Sequence, residues 1–221
     1  MTAYLETFQD MRDSFADYVG EAEATDSKWS NDTRVRMLNE SQLKIVTLTK
    51  CLEERWDTSK GIWAAAGDEI VTLSNEMYPD GLIAVWWLDS SSVYHKLTED
   101  LVGDAIQNSD TGTPTKFFRI NNNLYLKPKQ DAAGTAVIVG ERLPDELVNP
   151  TDQSLIAAAH RHTVPLDAAI RALVNDEQFQ KAGFLKADFN DRFKALQIMA
   201  TGRHRKTRQP SMKLPTRLSA R

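Results

Sequence analysis

Apolar residues recur at two different periods along this chain, and the order of those periods limits the fold. Tyr4, Phe8, Met11, Phe15 and Tyr18 stand three or four apart, which puts one apolar stripe on a helix over about Ala3–Gly20. Gly20 is suited to stopping it. Val35, Leu38, Ile45, Leu48 or Thr49, and Leu52 repeat the pattern, so a second helix is expected from about Asn31 to Glu54. Ser30 or Asp32 is its N-cap, and Trp56 stands at the end of its stripe. Further along, Leu166, Ile170 and Leu173 follow Pro165 as a third stripe. Phe184 or Phe189, Phe193, Leu196 and Met199 make a fourth, ending near Thr201. A helix with one apolar stripe must bury it against another element, so these four predict an antiparallel helical bundle closed by distant parts of the chain.

Between the helical pairs the period shortens. Glu69–Leu73 is short and β-rich, Leu82–Leu88 reads as a buried strand, and Val93–Leu97 is its return strand after the turn residues Asp89–Ser92. Thr98 is placed as the N-cap of a short helix ending near Ile106. Lys116–Ile120 and Leu124–Lys127 flank three asparagines, residues that tolerate the left-handed backbone of tight turns. Thr135–Val139 adds a strand, and the three are expected to form a short antiparallel meander. The fold class is therefore mainly α with a β-rich insertion (α+β). Its expected parts are N-terminal helices over 1–57, a β-rich subdomain over 58–148, C-terminal helices over 149–202, and an extended basic arm over 203–221. Phe15, Leu38, Ile45, Leu52, Ile170, Phe193 and Leu196 are the expected core of the bundle.

Charge is distributed unevenly. The chain holds 27 Lys+Arg and 31 Asp+Glu, and seven of the basic residues but none of the acidic ones follow Gly202. Residues 1–202 thus carry 20 basic and 31 acidic side chains, a balance of −11. Pro210 and Pro215 each remove an amide donor and fix φ, so 203–221 is expected to stay extended. An arm of this kind reads as a free terminus, a grip on a partner or a phosphate-binding segment.

The chemistry of an enzyme is not legible. No glycine-rich loop follows a strand to open a helix, which argues against a nucleotide cradle, and no cofactor is expected. His160 and His162 stand two apart with no third ligand at a matching offset, so no metal site is assigned. Cys51, the single cysteine, lies on the second helix's stripe and reads as a small buried apolar group. It also rules out an intramolecular disulfide. No apolar run reaches the ~18–20 residues needed to cross a bilayer, and acidic residues interrupt the N-terminus where a signal peptide would be apolar. No catalytic residue is assigned. Trp86-Trp87 has two readings: one indole in the core and the other on a contact surface, or a strand buried on both faces.

Four stretches carry a resemblance. They are Trp29 to Ile45 with Asp32, Val35 and Leu38-Asn39; Gly112-Thr-Pro114 with Phe117-Phe118 and Leu124–Pro128; Ala136–Val139 running to Leu143-Pro144; and Val164-Pro165-Leu166 with Ala168-Ala169. In this order they resemble the head-to-tail adaptor (connector, head completion) proteins of tailed double-stranded-DNA bacteriophages. The resemblance implies a ring, commonly of twelve copies, beneath the portal protein. Such a ring extends the DNA channel, helps retain the genome and presents a surface for tail or nozzle proteins. It implies a place at the head–tail junction of the virion, after synthesis in the host cytoplasm, and no catalytic residues. The family's C-terminal arm reaches the portal, which here makes Arg203, Arg205, Lys206, Arg208, Lys213, Leu214, Arg217, Leu218 and Arg221 the expected docking residues. Trp86, Trp87, Phe117, Phe118 and Tyr125 are the candidate contacts with neighbouring subunits or the tail. DNA would slide past a mostly negative ring without sequence-specific binding. The alternative is an accessory protein that binds nucleic acid through the basic arm.

Overall fold

The computed structural model describes residues 7–21, 28–57, 70–100 and 110–208. The chain divides into two compact units, Met1–Cys51 with Glu146–Arg221, and Leu52–Asp145. Helices and mixed sheets together make an α+β fold.

The first unit holds α1 (Phe8–Val19), α2 (Asn31–Thr49), α3 (Thr163–Asn175) and α4 (Phe179–Arg208). Thr7 caps α1 in a capping box: the Asp10 amide donates to Thr7 Oγ1, and the Thr7 amide donates to Asp10 Oδ2 at 2.8 Å. Two more first-turn donors of α1, the amides of Phe8 and Gln9, reach the carbonyls of Asp152 and Pro150 at 2.7 and 3.0 Å. At its other end Gly20 takes a left-handed φ of 77°, and Lys181 Nζ donates to the Val19 carbonyl at 2.8 Å. Both ends of α1 are thus satisfied by residues more than a hundred positions away. Ser30 caps α2, with the Thr33 amide donating to its hydroxyl.

Helix α3 packs against α1, α2 and α4. Its Val164, Leu166, Ala168, Ala169 and Ala172 are fully buried, as are Phe8, Met11 and Phe15 of α1, Leu38 and Ile45 of α2, and Leu196 of α4. Of the residues expected in the bundle core, Phe15, Leu38, Ile45 and Leu196 have no exposed surface; Leu52, at 8%, is buried but opens the second unit. Ile170 and Phe193 are half-buried.

Two helix ends differ from expectation. Helix α2 stops at Thr49, where Lys50 turns left-handed at φ 52°, and Glu53–Trp56 becomes a strand instead of the helix's last turn. Pairing of that strand with residues 138–141 overrides its helical pattern and carries Trp56 into the β core. Helix α4 runs on through residues 203–208, the first part of the expected extended arm. No proline or glycine interrupts 203–208, and the first helix-incompatible residue is Pro210. The rest of that arm, 209–221, lies outside the described residues.

The second unit contains β1 (Glu53–Trp56), β2 (Ile70–Thr72), β3 (Met77–Leu88), β4 (Tyr94–Lys96), β5 (Thr98–Glu99), β6 (Lys116–Ile120), β7 (Asn123–Lys127) and β8 (Thr135–Arg142). They form two four-stranded sheets, ordered β1-β8-β3-β4 and β2-β7-β6-β5. The β6–β7 hairpin turns through Asn121 at φ 53°, the left-handed conformation its asparagines allow. The third expected strand of the meander leaves it: β8 pairs with β1 and β3 in the other sheet. Thr98 lies in β5, parallel to β6, not at a helix start; the rest of the expected helix, from residue 101 to its end near Ile106, is outside the described residues. Trp56, Val85, Trp87, Ala136 and Ile138 of one sheet join Val71, Phe117, Leu124 and Leu126 of the other in a single core.

Strand β3 is irregular where it meets β8. Its register shifts between Met77 and Leu82 and again before Ala84. Gly81 makes this possible, because a Cβ there would lie 2.7 Å from Glu141 Cβ. Beside the bulge, the Arg142 guanidinium reaches Glu54 at 2.8 Å, Asp145 at 2.7 Å and Glu76 at 3.6 Å. One side chain thereby ties β1, the turn before β3 and the exit from β8 together.

Ile45 has no exposed surface, so Ile45→Ala loses its transfer energy and leaves a cavity. Chemical denaturation is expected to show a loss of about 2–5 kcal/mol. A loss under ~0.5 kcal/mol would remove Ile45 from the core.

Candidate interaction surfaces

Strand alternation sorts the five aromatic contact candidates. Trp87 points inward and is 2% exposed, and Phe117 is a core residue at 5%. Both are taken up by this chain's own core, which removes them from an exposed surface. Phe118 is also buried, on the opposite face of β6 from Phe117, where it stacks on Tyr125 with ring centroids 4.8 Å apart. Tyr125 and Trp86 remain half-buried.

Trp86 lies opposite Lys96 and Val137, so it shares the outer face of its sheet with Leu88 and Tyr94. Tyr94 is 52% exposed, and Arg55 Nη2 donates to its hydroxyl at 3.1 Å with the guanidinium carbon 5.8 Å from the ring centroid. The loop leading to Tyr94 is held by Asp89, whose Oδ1 accepts the amides of Ser91 and Val93 at 2.9 Å each. Its Oδ2 lies 2.8 Å from His95 Nε2. The His95 hydrogen bond, with that of the Val93 amide, holds the Asp89 carboxyl below its usual range.

A cleft of about 820 Å³ opens in this same unit, lined by Met77, Asp80, Leu82, Ile83, Glu99 and Phe117, with Arg119 and three asparagines at 75, 121 and 122. The β3 bulge delivers Asp80 and Leu82, the β6–β7 hairpin delivers Arg119 and Asn121, and the parallel β5 delivers Glu99. Asn122 Nδ2 fixes the hairpin by donating to the Leu73 carbonyl at 2.9 Å. Residues 52–145 hold 15 acidic and 8 basic residues, a balance of −7, so most of the body's negative charge belongs to this unit.

Helix α4 presents a second surface that the sequence pattern concealed. Its buried side is set by Ala182, Leu196 and Ala200, while Phe184 is 81% and Ile198 74% exposed. At 100° per residue, Phe184, Ala187, Asp191, Ala195 and Ile198 form a stripe on the side opposite those buried residues. The sequence pattern offered Phe184 or Phe189 for the core stripe; Phe189 is half-buried and Phe184 is exposed, on an outward stripe interrupted by Asp191. Within the arm, Arg203, Arg205, Lys206 and Arg208 fall on the last turns of this helix. Lys213, Leu214, Arg217, Leu218 and Arg221 lie outside the described residues.

Among the described residues no group of three or more His, Cys, Asp or Glu is placed to hold a metal ion. His160 ends a short 3-10 turn (Ala158–His160) and Cys51 is buried. Among the described residues no helix is long and apolar enough to cross a membrane.

A helical unit interrupted by a two-sheet insertion, with Tyr94 and Phe184 exposed on its surface, offers apolar area for contact with other proteins. The family model described as SU10 adaptor protein matches residues 6–214 of this chain, and the chain belongs to that family of phage head–tail adaptors. Its partners are accordingly head and tail components of a phage, and its place is the virion. No curated protein matches the chain significantly.

Acid should loosen the loop before Tyr94. Because the folded pKa of Asp89 is depressed, its contribution is present above the unfolded value of 3.8 and is lost as pH falls through the folded one. Amide NMR signals of Ser91 and Val93 are expected to move together in that acid range, below about pH 4. Signals that stay fixed while other carboxylates titrate would show that Asp89 does not hold this loop.

Proposed function

We propose that this adaptor assembles as a ring, commonly of twelve copies, beneath the portal, lengthening the DNA channel, helping to retain the genome and offering the surface on which tail or nozzle proteins attach. The observation that carries this reading is the charge division: a body with a balance of −11, followed at the end of α4 and beyond by seven basic residues and no acidic one. A ring of such bodies lines a passage that repels DNA phosphates, while the cationic ends stay available for an acidic groove on the portal. Trp86, Tyr94 and Tyr125 in the β unit, with Phe184 and Ile198 on α4, are the contacts available to neighbouring copies or to the next tail protein.

The body's −11 balance opposes association of free copies, so the isolated protein is expected to be a monomer or weak oligomer that closes into a ring on the portal. Light scattering at micromolar concentration checks this. A stable closed ring without portal would contradict the assembly order.

Removal of residues 209–221 is expected to leave the thermal unfolding of the body unchanged and to abolish attachment to portal rings, scored by negative-stain images of the mixture. Because 203–208 are helical, charge reversal at Arg203, Arg205, Lys206 and Arg208 is the complementary variant. Full occupancy of portal rings by both variants would show that the arm is not the docking element. The seven basic residues after Gly202 favour one other reading, a phosphate-binding arm. DNA affinity that falls steeply with salt and disappears with the arm would support it.

A further inference from the structure

The sheet ordered β1-β8-β3-β4 ends in β1 on one side and β4 on the other, and the outward backbone of an end strand is a template for another strand. In an antiparallel pair only every second residue bonds to its neighbour. Leu97 donates to the Val85 carbonyl and Asp89 to the Val93 carbonyl, so the amides and carbonyls of Tyr94 and Lys96 point away from β3. At the other end Arg142 donates to the Leu52 carbonyl, so the backbone of Glu53 and Arg55 points away from β8. Among the described residues the backbone groups of Tyr94 and Arg55 have no partner.

The two edges match each other in direction, face and charge. Every pairing in this sheet is antiparallel, so β4 of one copy meets β1 of the next antiparallel when the sheet continues from copy to copy. Trp56, Val85, Trp87 and Ile138 occupy the inner face, which leaves Glu53, Arg55, Tyr94 and Lys96 together on the outer one. With Tyr94 opposite the next copy's Arg55, Lys96 falls opposite the next copy's Glu53. The Lys96 side chain is exposed and has no ion-pair partner among the described residues. A carboxylate accepts several donors, so Glu53 can take this ammonium beside the contacts it already has. Sliding by two residues sets Lys96 opposite Arg55, two like charges, or carries it past the end of β1. Sliding by one turns the side chains to opposite faces.

We propose that β4 of each copy pairs with β1 of the next, so that the sheet runs unbroken between neighbouring subunits. The proposal rests on the ring reading above, whose seam it names. Tyr94 and the next copy's Arg55 exchange both ladder hydrogen bonds, and Lys96 pairs with Glu53 across the seam. The contact is heterologous, so a closed ring leaves neither edge open.

Carbodiimide joins a lysine amine to a carboxylate in contact with it. With isotopically heavy and light copies mixed on portal, mass spectrometry is expected to find Lys96 joined to Glu53 in pairs of mixed isotope. These residues stand at opposite ends of one sheet, so a link confined to single chains overturns the seam. Lys96→Glu and Glu53→Lys should each lower the fraction of complete rings several-fold, because the loss at one seam recurs at every other. The two together in one chain should restore it. Hydrogen exchange in the wild-type protein decides where a variant fails to fold: the amides of Tyr94 and Arg55 should exchange more slowly in the assembly than in free protein. Full rings from both single variants, with no mixed link and no slowing, overturn the seam and leave the ring reading intact. If wild-type protein forms no ring on portal, the ring reading fails and the seam is judged on concentrated protein alone. There, mixed Lys96–Glu53 links support it and their absence overturns it.

Discussion

Helix α3 is enclosed by three other helices, and several of its buried positions are small. Ala168, Ala169 and Ala172 have no exposed surface, and each lets a neighbouring backbone approach closer than a longer side chain would allow. Phe8, Met11 and Phe15 of α1 and Ile45 of α2 supply the bulk that fills the space so left. One charge is buried with them. Asp167, on the same helix, is 4% exposed and accepts from Lys44 of α2 at 2.6 Å, while Arg171 reaches Glu40 a turn further along. Removing the Lys44 cation would leave this carboxylate buried without its charge partner, which is strongly destabilising.

The same unit is closed by hydrogen bonds that no local sequence rule contains. Asn39 of α2 accepts the Leu147 amide and donates to the Leu147 carbonyl, each at 2.9 Å, and so holds the chain where it returns from the β insertion. Asp152 accepts the amides of Val148 and Asn149, which keep its carboxyl below the usual range. Its own carbonyl accepts the first amide of α1. The start of α1 and the segment before α3 therefore form one hydrogen-bonded structure, although the whole β unit separates them in sequence.

Period and punctuation made much of this legible. The α1 stripe, the Ser30 cap, the β6–β7 hairpin with its asparagines and the pair β3–β4 all follow from local rules that the packing reinforces. What escaped has tertiary causes. Glu53–Trp56 has a helical pattern but is claimed by β8, and Thr135–Arg142 follows a hairpin but joins the other sheet because the inner face of β3 needs Ala136 and Ile138. Alternation did divide Trp86 from Trp87, yet Phe117 and Phe118 are both buried because each face of β6 is covered. Exposure of one side chain depends on what lies across the sheet, and adjacent residues in sequence do not reveal that.

Helix α4 shows how a surface can be hidden by its own chemistry. Its 30 residues run about 45 Å at the rise of an α-helix. A stripe of Ala182, Leu196 and Ala200 is buried, and another of Phe184, Ala187, Ala195 and Ile198 faces outward. Apolar residues on two opposed sides, the outer set interrupted by Asp191, partly cancel, so the helix reads as weakly patterned. Arg203, Arg205, Lys206 and Arg208 follow on the same helix. The β unit holds the opposite character, with its aromatic Trp86 and Tyr94 amid a balance of −7. The surplus of positive charge thus lies at the end of α4 and beyond, and the larger share of the negative balance lies in the β unit.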